Sequence, residues 1–259
     1  MTVSESREAF KHVILTSSGI VILVGILVWF FMKLDRVIEK KSTLEKIMIP
    51  QIQEVLRLPS VWLLMIIILC AYVGYKITDV FSLYARDIML YDQVQSAQVV
   101  TLLFFVRPFI GILIGVLADR SKTTYWLVVS FIFSFLGSLL LGFGYISDSA
   151  TALFFMSILI TSSGVYATRA LYFSVMERGK IPLVFTGTAV GFISLVGYTP
   201  DIFAGPAMGY ILDNYPGGKG HQYVFLILAL FSLMGGVAAW YFHQFYGKKQ
   251  NLGSISRPT

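Results

Sequence analysis

The stretch Ile-Gly-Val-Leu-Ala-Asp-Arg-Ser-Lys (114–122) places one carboxylate and two cations between two long apolar segments. The mostly apolar segment before it is about twenty residues long, enough to cross the ~30 Å hydrocarbon core of a bilayer as a helix. The segment after it, 125–146, carries no charged residue. This pattern predicts a short polar turn that joins two membrane helices.

The whole chain has the composition of a membrane protein. Of its 259 residues, 56% are hydrophobic and 13% are charged, against about 25% charged in soluble domains. The net charge is +6, but the cations lie between apolar runs, so we expect no nucleic-acid partner. The single cysteine, Cys70, excludes a disulfide framework, and three scattered histidines do not suggest a metal site. We expect no metal and no cofactor.

Seven segments are long and apolar enough to span a bilayer. Because an unpaired backbone group in lipid costs several kcal/mol, each of these segments must be helical. The predicted spans are about 13–32, 60–83, 97–118, 124–146, 150–175, 182–212 and 222–245. The expected fold is an all-α membrane protein with about seven transmembrane helices. Lys33 and Asp35 follow the first span in place of a small-residue cleavage site, so this span is not a signal peptide.

The distribution of lysine and arginine predicts the orientation, because cations are retained on the cytoplasmic side. Thirteen of the 20 lie in the segment 33–59, the turn 119–122, the loop after the fifth span and the tail, whereas four lie in the alternate segments. The amino terminus is therefore expected outside a plasma or inner membrane, and the carboxyl terminus in the cytoplasm. The predicted segments are an external tail with the first helix (1–32), a basic cytoplasmic loop (33–59), a six-helix unit (60–246) and a cytoplasmic tail (247–259).

The third and sixth predicted spans share one residue pattern. Residues 107–119 read Arg-Pro-Phe-Ile-Gly-Ile-Leu-Ile-Gly-Val-Leu-Ala-Asp, and residues 201–213 read Asp-Ile-Phe-Ala-Gly-Pro-Ala-Met-Gly-Tyr-Ile-Leu-Asp. Glycines four apart let a neighbouring helix approach closely, so Gly111, Gly205 and Gly209 are predicted helix-packing positions. Each pattern lies in the middle helix of a three-span unit, 60–146 or 150–245. The two middle helices cross in opposite directions, as in inverted repeats of transporters.

The charged turn resembles the short cytoplasmic motif of the major facilitator superfamily, Gly-x-x-x-Asp-Arg/Lys-x-Gly-Arg/Lys-Arg/Lys. Gly115, Asp119 and Arg120 match it, whereas Lys122 replaces the second glycine and threonines replace the trailing cations. That family has twelve helices, and its second-half copy of the motif is the weaker one. The resemblance therefore implies its carboxyl-terminal six-helix half, preceded by its sixth helix and central loop. It also implies a gating role for Gly115, Asp119 and Arg120, and a fragment whose missing amino-terminal half is a partner.

Five ionisable residues lie inside the predicted spans, where charge is costly and normally faces a cavity or a partner. They are Lys76, Asp79, Arg107, Arg169 and Asp201. In the resembled family, the first two helices of each three-helix unit line the central cavity, and these residues fall on such helices. The tyrosines that would line the same pocket are Tyr72, Tyr75, Tyr166 and Tyr198.

Each charge also has a structural interpretation. Lys76 and Asp79 are three apart and could form an intrahelical pair, or extend to the nearby bilayer surface. Arg107 could pair with Asp201, which follows the helix breaker Thr199-Pro200. Arg169 could close an inner gate, with Glu177 or the missing half as its partner.

These features predict a secondary transporter of a small polar solute that works by alternating access. Three cations against two carboxylates favour an organic anion or a sugar acid, because arginine binds carboxylate and phosphate bidentately; the tyrosines also suit a sugar. No phosphate-binding Gly-x-x-x-x-Gly-Lys-Ser/Thr loop is present. If transport is coupled to an ion, Asp79 and Asp201 are the candidate proton carriers.

The alternative class is a seven-span receptor, which shares the helix number and the external amino terminus. The 27-residue basic loop, the lack of a disulfide and the internal repeat argue against it. No Ser/His/Asp or His-rich cluster supports an enzyme. The fragment alone is expected to be inactive in transport, because the pathway needs walls from both halves.

Overall fold

The computed structural model describes residues 3–31 and 52–247, and every regular element in these two ranges is a helix. Besides a short helical segment at 52–56, the α-helices are α1 (Val3–Phe31), α2 (Pro59–Ile77), α3 (Phe81–Asp87), α4 (Gln93–Arg120), α5 (Thr123–Gly142), α6 (Thr151–Leu171), α7 (Thr186–Gly197), α8 (Pro200–Asn214) and α9 (Gly218–Tyr246). The all-α prediction is confirmed. Most of the predicted loop 33–59 and the tail from 248 onward lie outside the described residues. Helix α1 and the bundle α2–α9 belong to separate compact units.

Six helical segments of the described residues are long and apolar enough to cross a membrane, one fewer than the sequence predicts. They are Lys11–Phe31, Pro59–Asp87, Gln93–Arg120, Thr123–Gly142, Thr151–Leu171 and Gly218–Tyr246. The difference arises because the predicted span 182–212 is not one helix: α7 ends at Gly197 and α8 begins at Pro200. Proline cannot donate the backbone hydrogen bond that would continue α7. The predicted span 182–212 is therefore divided into two helices, and the predicted helix breaker Thr199-Pro200 lies at the observed break.

Helix α2 lies at the centre of the bundle. It continues through a 3₁₀ turn (Thr78–Val80) into α3, and 67% of the apolar window in this span is buried, against 17% in α4. Helix α2 packs against α6, α7, α8 and α9. Its apolar residues therefore supply much of the core, while α4 leaves most of its apolar surface open.

The two three-span units pack against each other through equivalent helices. The first unit comprises α2–α5 and the second α6–α9. The third helix of each unit packs against the first helix of the other, as α9 does on α2 and α5 on α6. The middle helices do likewise, since α4 packs on α6 whereas α7 and α8 pack on α2.

Glycines allow the closest helix contact, but not the glycines that the sequence pattern predicts. A Cβ on Gly137 of α5 or on Gly164 of α6 would overlap backbone atoms of the facing helix, including the Ser130 carbonyl oxygen at 2.6 Å from Gly164. No atom lies within 4 Å of a Cβ built on Gly111, Gly205 or Gly209. Within the described residues these three glycines therefore contact no neighbouring helix, because they lie on open faces of α4 and α8.

Candidate functional site

Helix α2 supplies three polar side chains to one place in the bundle. Tyr72, Tyr75 and Lys76 are three and four residues apart, so they share one helical face. Tyr72 is buried, whereas Tyr75 and Lys76 are half-buried. The residues before and after them on α2 are apolar and buried in the core, which fixes the rotation of this face.

The break between α7 and α8 brings two more polar residues to this face. A Cβ on Gly197 would overlap the side chain of Ile68, so a glycine at the end of α7 lets the break approach α2 closely. Tyr198 follows, and its ring meets the Tyr72 ring edge-on at 4.8 Å between centroids. Asp201 lies in the first turn of α8, where the helix dipole favours a carboxylate.

Asp201 forms the ion pair that links α8 to α2. Its Oδ1 lies 2.7 Å from Lys76 Nζ, and its Oδ2 accepts a hydrogen bond from the Tyr72 hydroxyl at 2.9 Å. The Asp201 side chain is 47% exposed, so water reaches the pair and its contribution to stability is small. The partner of Asp201 among the described residues is thus Lys76, not Arg107, and the suggested intrahelical pair of Lys76 with Asp79 is not observed.

Two arginines from other helices converge on Tyr75. Arg107 of α4 donates from Nη1 to the Tyr75 hydroxyl at 3.2 Å, and its Cζ lies 5.1 Å from the ring centroid. Arg169 of α6 stacks over the same ring, with Cζ 3.8 Å from the centroid, and lies 5.3 Å from the Tyr72 ring. Both distances are within the range of cation–π attraction. Arg169 Nη1 is buried and has no acceptor among the described residues.

Together these residues form one connected group, the tyrosine–cation cluster. Its members are Tyr72, Tyr75, Lys76, Arg107, Arg169, Tyr198 and Asp201. It holds three cations and one carboxylate, which leaves an excess of positive charge. Of the five ionisable residues and four tyrosines that the sequence predicts for the pocket, seven meet here.

Two residues predicted for the pocket, Asp79 and Tyr166, lie near the cluster without joining it. Asp79 is exposed in the 3₁₀ turn after α2, and Tyr166 is buried in an apolar core cluster between α2, α6 and α9. The side chain of Glu177, the suggested partner of Arg169, lies outside the described part of the chain. Neither Asp79 nor Tyr166 forms a hydrogen bond or an ion pair with the described members of the cluster.

The charged turn is as short as the sequence predicts. Helix α4 ends at Arg120 and α5 begins at Thr123, and Ser121 Oγ accepts a hydrogen bond from Trp126 Nε1 at 2.6 Å. Asp119 and Arg120 are exposed and form no ion pair with any described residue, and the Cβ position of Gly115 is open. The described bundle therefore contains no contact of these residues that would support the gating role implied by the resemblance.

A second polar contact was not foreseen. His221, at the start of α9, is 1% exposed; its Nε2 lies 3.1 Å from Asp87 Oδ2, and its ring packs edge-on against Tyr84. Arg86 also contacts this carboxylate, at 2.9 Å. These contacts join the end of α3 to the start of α9. No sequence pattern connects the two ends, since 134 residues separate His221 from Asp87.

Two surface grooves of the bundle have a different character. One lies between α5 and α9 and another among α4, α5 and α6, and apolar side chains supply nearly all of their lining. Ion-pairing and hydrogen-bonding groups from α2, α4, α6 and the α7–α8 break meet instead in the tyrosine–cation cluster.

Comparison with known proteins finds similarity to two bacterial inner membrane proteins. It is 27% identical over 229 residues to the inner membrane protein YqcE of Escherichia coli (strain K12), a match that covers 86% of this chain and 54% of that protein. It is 39% identical over 75 residues to the inner membrane protein YihN of the same organism, covering 29% of this chain and 18% of YihN.

The chain thus spans about half the length of YqcE, and the match to YihN is confined to a shorter stretch. No protein-family model matches the chain, and no solved structure matches it. The membrane helices and these relatives agree: the chain is an α-helical membrane protein similar to inner membrane proteins of E. coli.

Proposed function

We propose that the chain is the carboxyl-terminal half, with the preceding helix, of a secondary transporter of the major facilitator type that moves a small polar solute by alternating access. The tyrosine–cation cluster is the observation that carries this proposal. Ionised groups inside membrane spans are costly and normally serve a pathway or a partner. Here they come from α2, α4, α6 and the start of α8 and meet in one place.

The origin of the cluster residues supports a transport pathway. They come from α2 and α4 of the first unit and from α6 and the α7–α8 break of the second. The third helix of each unit, α5 or α9, contributes none. This division matches the resembled family, in which the first two helices of each unit line the cavity. Broken helices at the interface of two repeats are also typical of transporter binding sites.

The equivalent packing contacts between α2–α5 and α6–α9 support the proposed inverted repeat. Two units related by a pseudo-twofold axis make equivalent contacts with each other, and the observed pairs occur in such equivalent sets. The open glycine faces of α4 and α8 then have a role: Gly111, Gly115, Gly205 and Gly209 would contact the amino-terminal half of the transporter, the proposed partner.

The polar groups favour an organic anion or a sugar acid as the solute. The cluster carries more cations than carboxylates, and three tyrosine rings surround them. Asp201, half-exposed and held by Lys76, is the proposed site of a coupling proton, with exposed Asp79 as a second carboxylate. The proposed location is a plasma or inner membrane, with the carboxyl terminus in the cytoplasm.

Uptake by reconstituted protein tests the function. The full-length protein, meaning this chain together with the proposed amino-terminal half, is purified and placed in liposomes. It is expected to accumulate at least one radiolabelled solute from a panel of lactate, gluconate, glucuronate and glucose. Protein-free liposomes give the background. Asp201→Asn is expected to lower the uptake and to change its pH dependence, whereas Asp148→Asn, an exposed loop carboxylate, keeps both. Absence of flux across the panel, together with specific binding of a soluble cytoplasmic protein to residues 33–59, would instead favour the receptor class.

A further inference from the structure

We infer that Arg107 and Arg169, which both contact Tyr75, form the binding site for an oxyanion group of the solute: a carboxylate, phosphate or sulfonate. This inference rests on the proposed transport function, and it divides the cluster into two parts. Arg107, Arg169 and Tyr75 hold the anionic group, whereas Lys76 and Asp201 form a separate, internally neutral pair.

The excess positive charge of the cluster lies on its two arginines. Lys76 has its own carboxylate at 2.7 Å, and the same carboxylate is held by the Tyr72 hydroxyl. Each arginine, by contrast, contacts the ring or hydroxyl of Tyr75 and no carboxylate among the described residues. The uncompensated positive charge is therefore located on the two guanidinium groups and not on the lysine.

The guanidinium groups of Arg107 and Arg169 have unused hydrogen-bond donors. A guanidinium carries five N–H donors in a planar fork. Arg107 uses Nη1 on the Tyr75 hydroxyl, and the Arg169 guanidinium lies over the Tyr75 ring, with Cζ 3.8 Å from the ring centroid. Arg169 Nη1 is buried without an acceptor in the described part of the chain. A buried charged donor without an acceptor is unfavourable, and an oxyanion with two acceptor oxygens satisfies such a fork.

Tyr75 contacts both arginines. Its hydroxyl accepts from Arg107 and keeps its own proton for donation. Its ring also contacts Arg169, whose Cζ lies 3.8 Å from the ring centroid. The geometry therefore offers an oxyanion two guanidinium edges and one hydroxyl. The edge-to-face pair of Tyr72 and Tyr198 provides the adjacent ring surface for the uncharged part of the solute.

Ligand-dependent thermal stability tests this assignment without a transport assay. The full-length protein in a neutral detergent is titrated with inorganic phosphate, sulfate, gluconate or uncharged glucose, with chloride holding the ionic strength constant. A ligand that binds the folded state raises the Tm with its concentration. We expect phosphate, sulfate or gluconate to raise the Tm, and Arg107→Gln or Arg169→Gln to weaken that binding by about tenfold or more. Arg57→Gln, at a surface arginine with a 74% exposed side chain, is the matched control and keeps the response.

Two further variants separate a built site from diffuse positive charge. The double variant Arg107→Lys/Arg169→Lys keeps both charges but loses the planar forks, so it is expected to bind the anions clearly more weakly than the unmodified protein. Tyr75→Phe keeps the ring and removes the hydroxyl, so it is expected to fold and to lose part of the affinity. Full anion affinity in the lysine double variant, or in both glutamine variants, would overturn the inference.

A lipid phosphate is the other source of the same chemistry. The titration is repeated with a short-chain phosphatidylglycerol in the detergent micelle. A response to this lipid alone that depends on the arginines, with none to the soluble anions, overturns a solute site. Stabilisation by glucose that is insensitive to both arginines overturns the inference while uptake still supports transport. Anion binding that requires the arginines, in a protein without flux, supports the inference and counts against the transport function.

Discussion

Lys76→Asp and Asp201→Lys, made separately, are each expected to reduce solute uptake by about tenfold or more, and the double swap is expected to recover a large part of it. The reason is the 2.7 Å ion pair between α2 and α8. The first variant places two carboxylates in contact, and the second leaves a cluster of four cations without a carboxylate. Either change drives the α7–α8 break away from α2.

The measurement is uptake into liposomes, normalised to the amount of correctly folded protein. The matched control is the surface pair Arg57–Glu54, at 3.0 Å, because exposed pairs of this kind contribute little. Arg57→Glu, Glu54→Arg and their combination are expected to leave uptake unchanged. Equal loss in the double swap and in the two single variants of Lys76 and Asp201 would show that the pair does not act as a pair.

Gly164→Ala is expected to destabilise the folded bundle by about 1–3 kcal/mol, the usual cost of overpacking. Helices α5 and α6 cross at this glycine, and a Cβ there would overlap backbone atoms of Ser130 and Ser134. Backbone atoms cannot move aside as a side-chain tip can, so the two helices must separate. Close approach at small residues is a principal source of helix association in membranes.

Denaturation of the purified protein in detergent, followed by circular dichroism, measures this effect. Gly191→Ala is the matched control: it lies inside α7, and no atom is found within 4 Å of its Cβ position. Alanine is a better helix former than glycine by about 0.8–1.0 kcal/mol, so the control is expected to be neutral or stabilising. Unfolding free energies that move in the same direction in both variants would contradict the close α5–α6 contact.

The sequence predicts most of the helices because bilayer thickness and backbone hydrogen bonding leave few alternatives. The charged turn at 119–122 and the break at Thr199-Pro200 follow from local chemistry, since a short run of charge ends a membrane helix and proline cannot continue one. The residues of the candidate site could also be named in advance, because ionised groups inside spans are rare and costly.

The pairing of those residues could not be predicted. Lys76 with Asp79 and Arg107 with Asp201 were both compatible with the sequence, and the observed pair is Lys76 with Asp201. The choice depends on how far α2 rotates and how near the α7–α8 break comes to it, which the contact of Gly197 with Ile68 determines. That contact joins residues far apart in the chain, so no local pattern records it.

The glycines at the close helix contact could not be predicted from the sequence either. Gly111, Gly205 and Gly209 have a recognisable four-residue spacing, yet they lie on open faces, whereas Gly137 and Gly164 lie at the close α5–α6 contact without such a pattern. The spacing indicates a face on which a backbone can approach. It does not indicate which neighbour occupies that face.

Cysteine accessibility in the membrane tests the central claim, that the ionised groups within the spans line one aqueous pathway. In a Cys70→Ala background, single cysteines replace Lys76, Arg107, Arg169 and Asp201 of the full-length protein, and a charged aqueous thiol reagent is added. Cysteines at Ile158, buried in the core, and at Ile132, on the exposed apolar surface of α5, are the controls. Labelling is expected at all four cluster positions, slowed by a transported solute, and at neither control position. Protection of all four positions, with and without solutes, would contradict it.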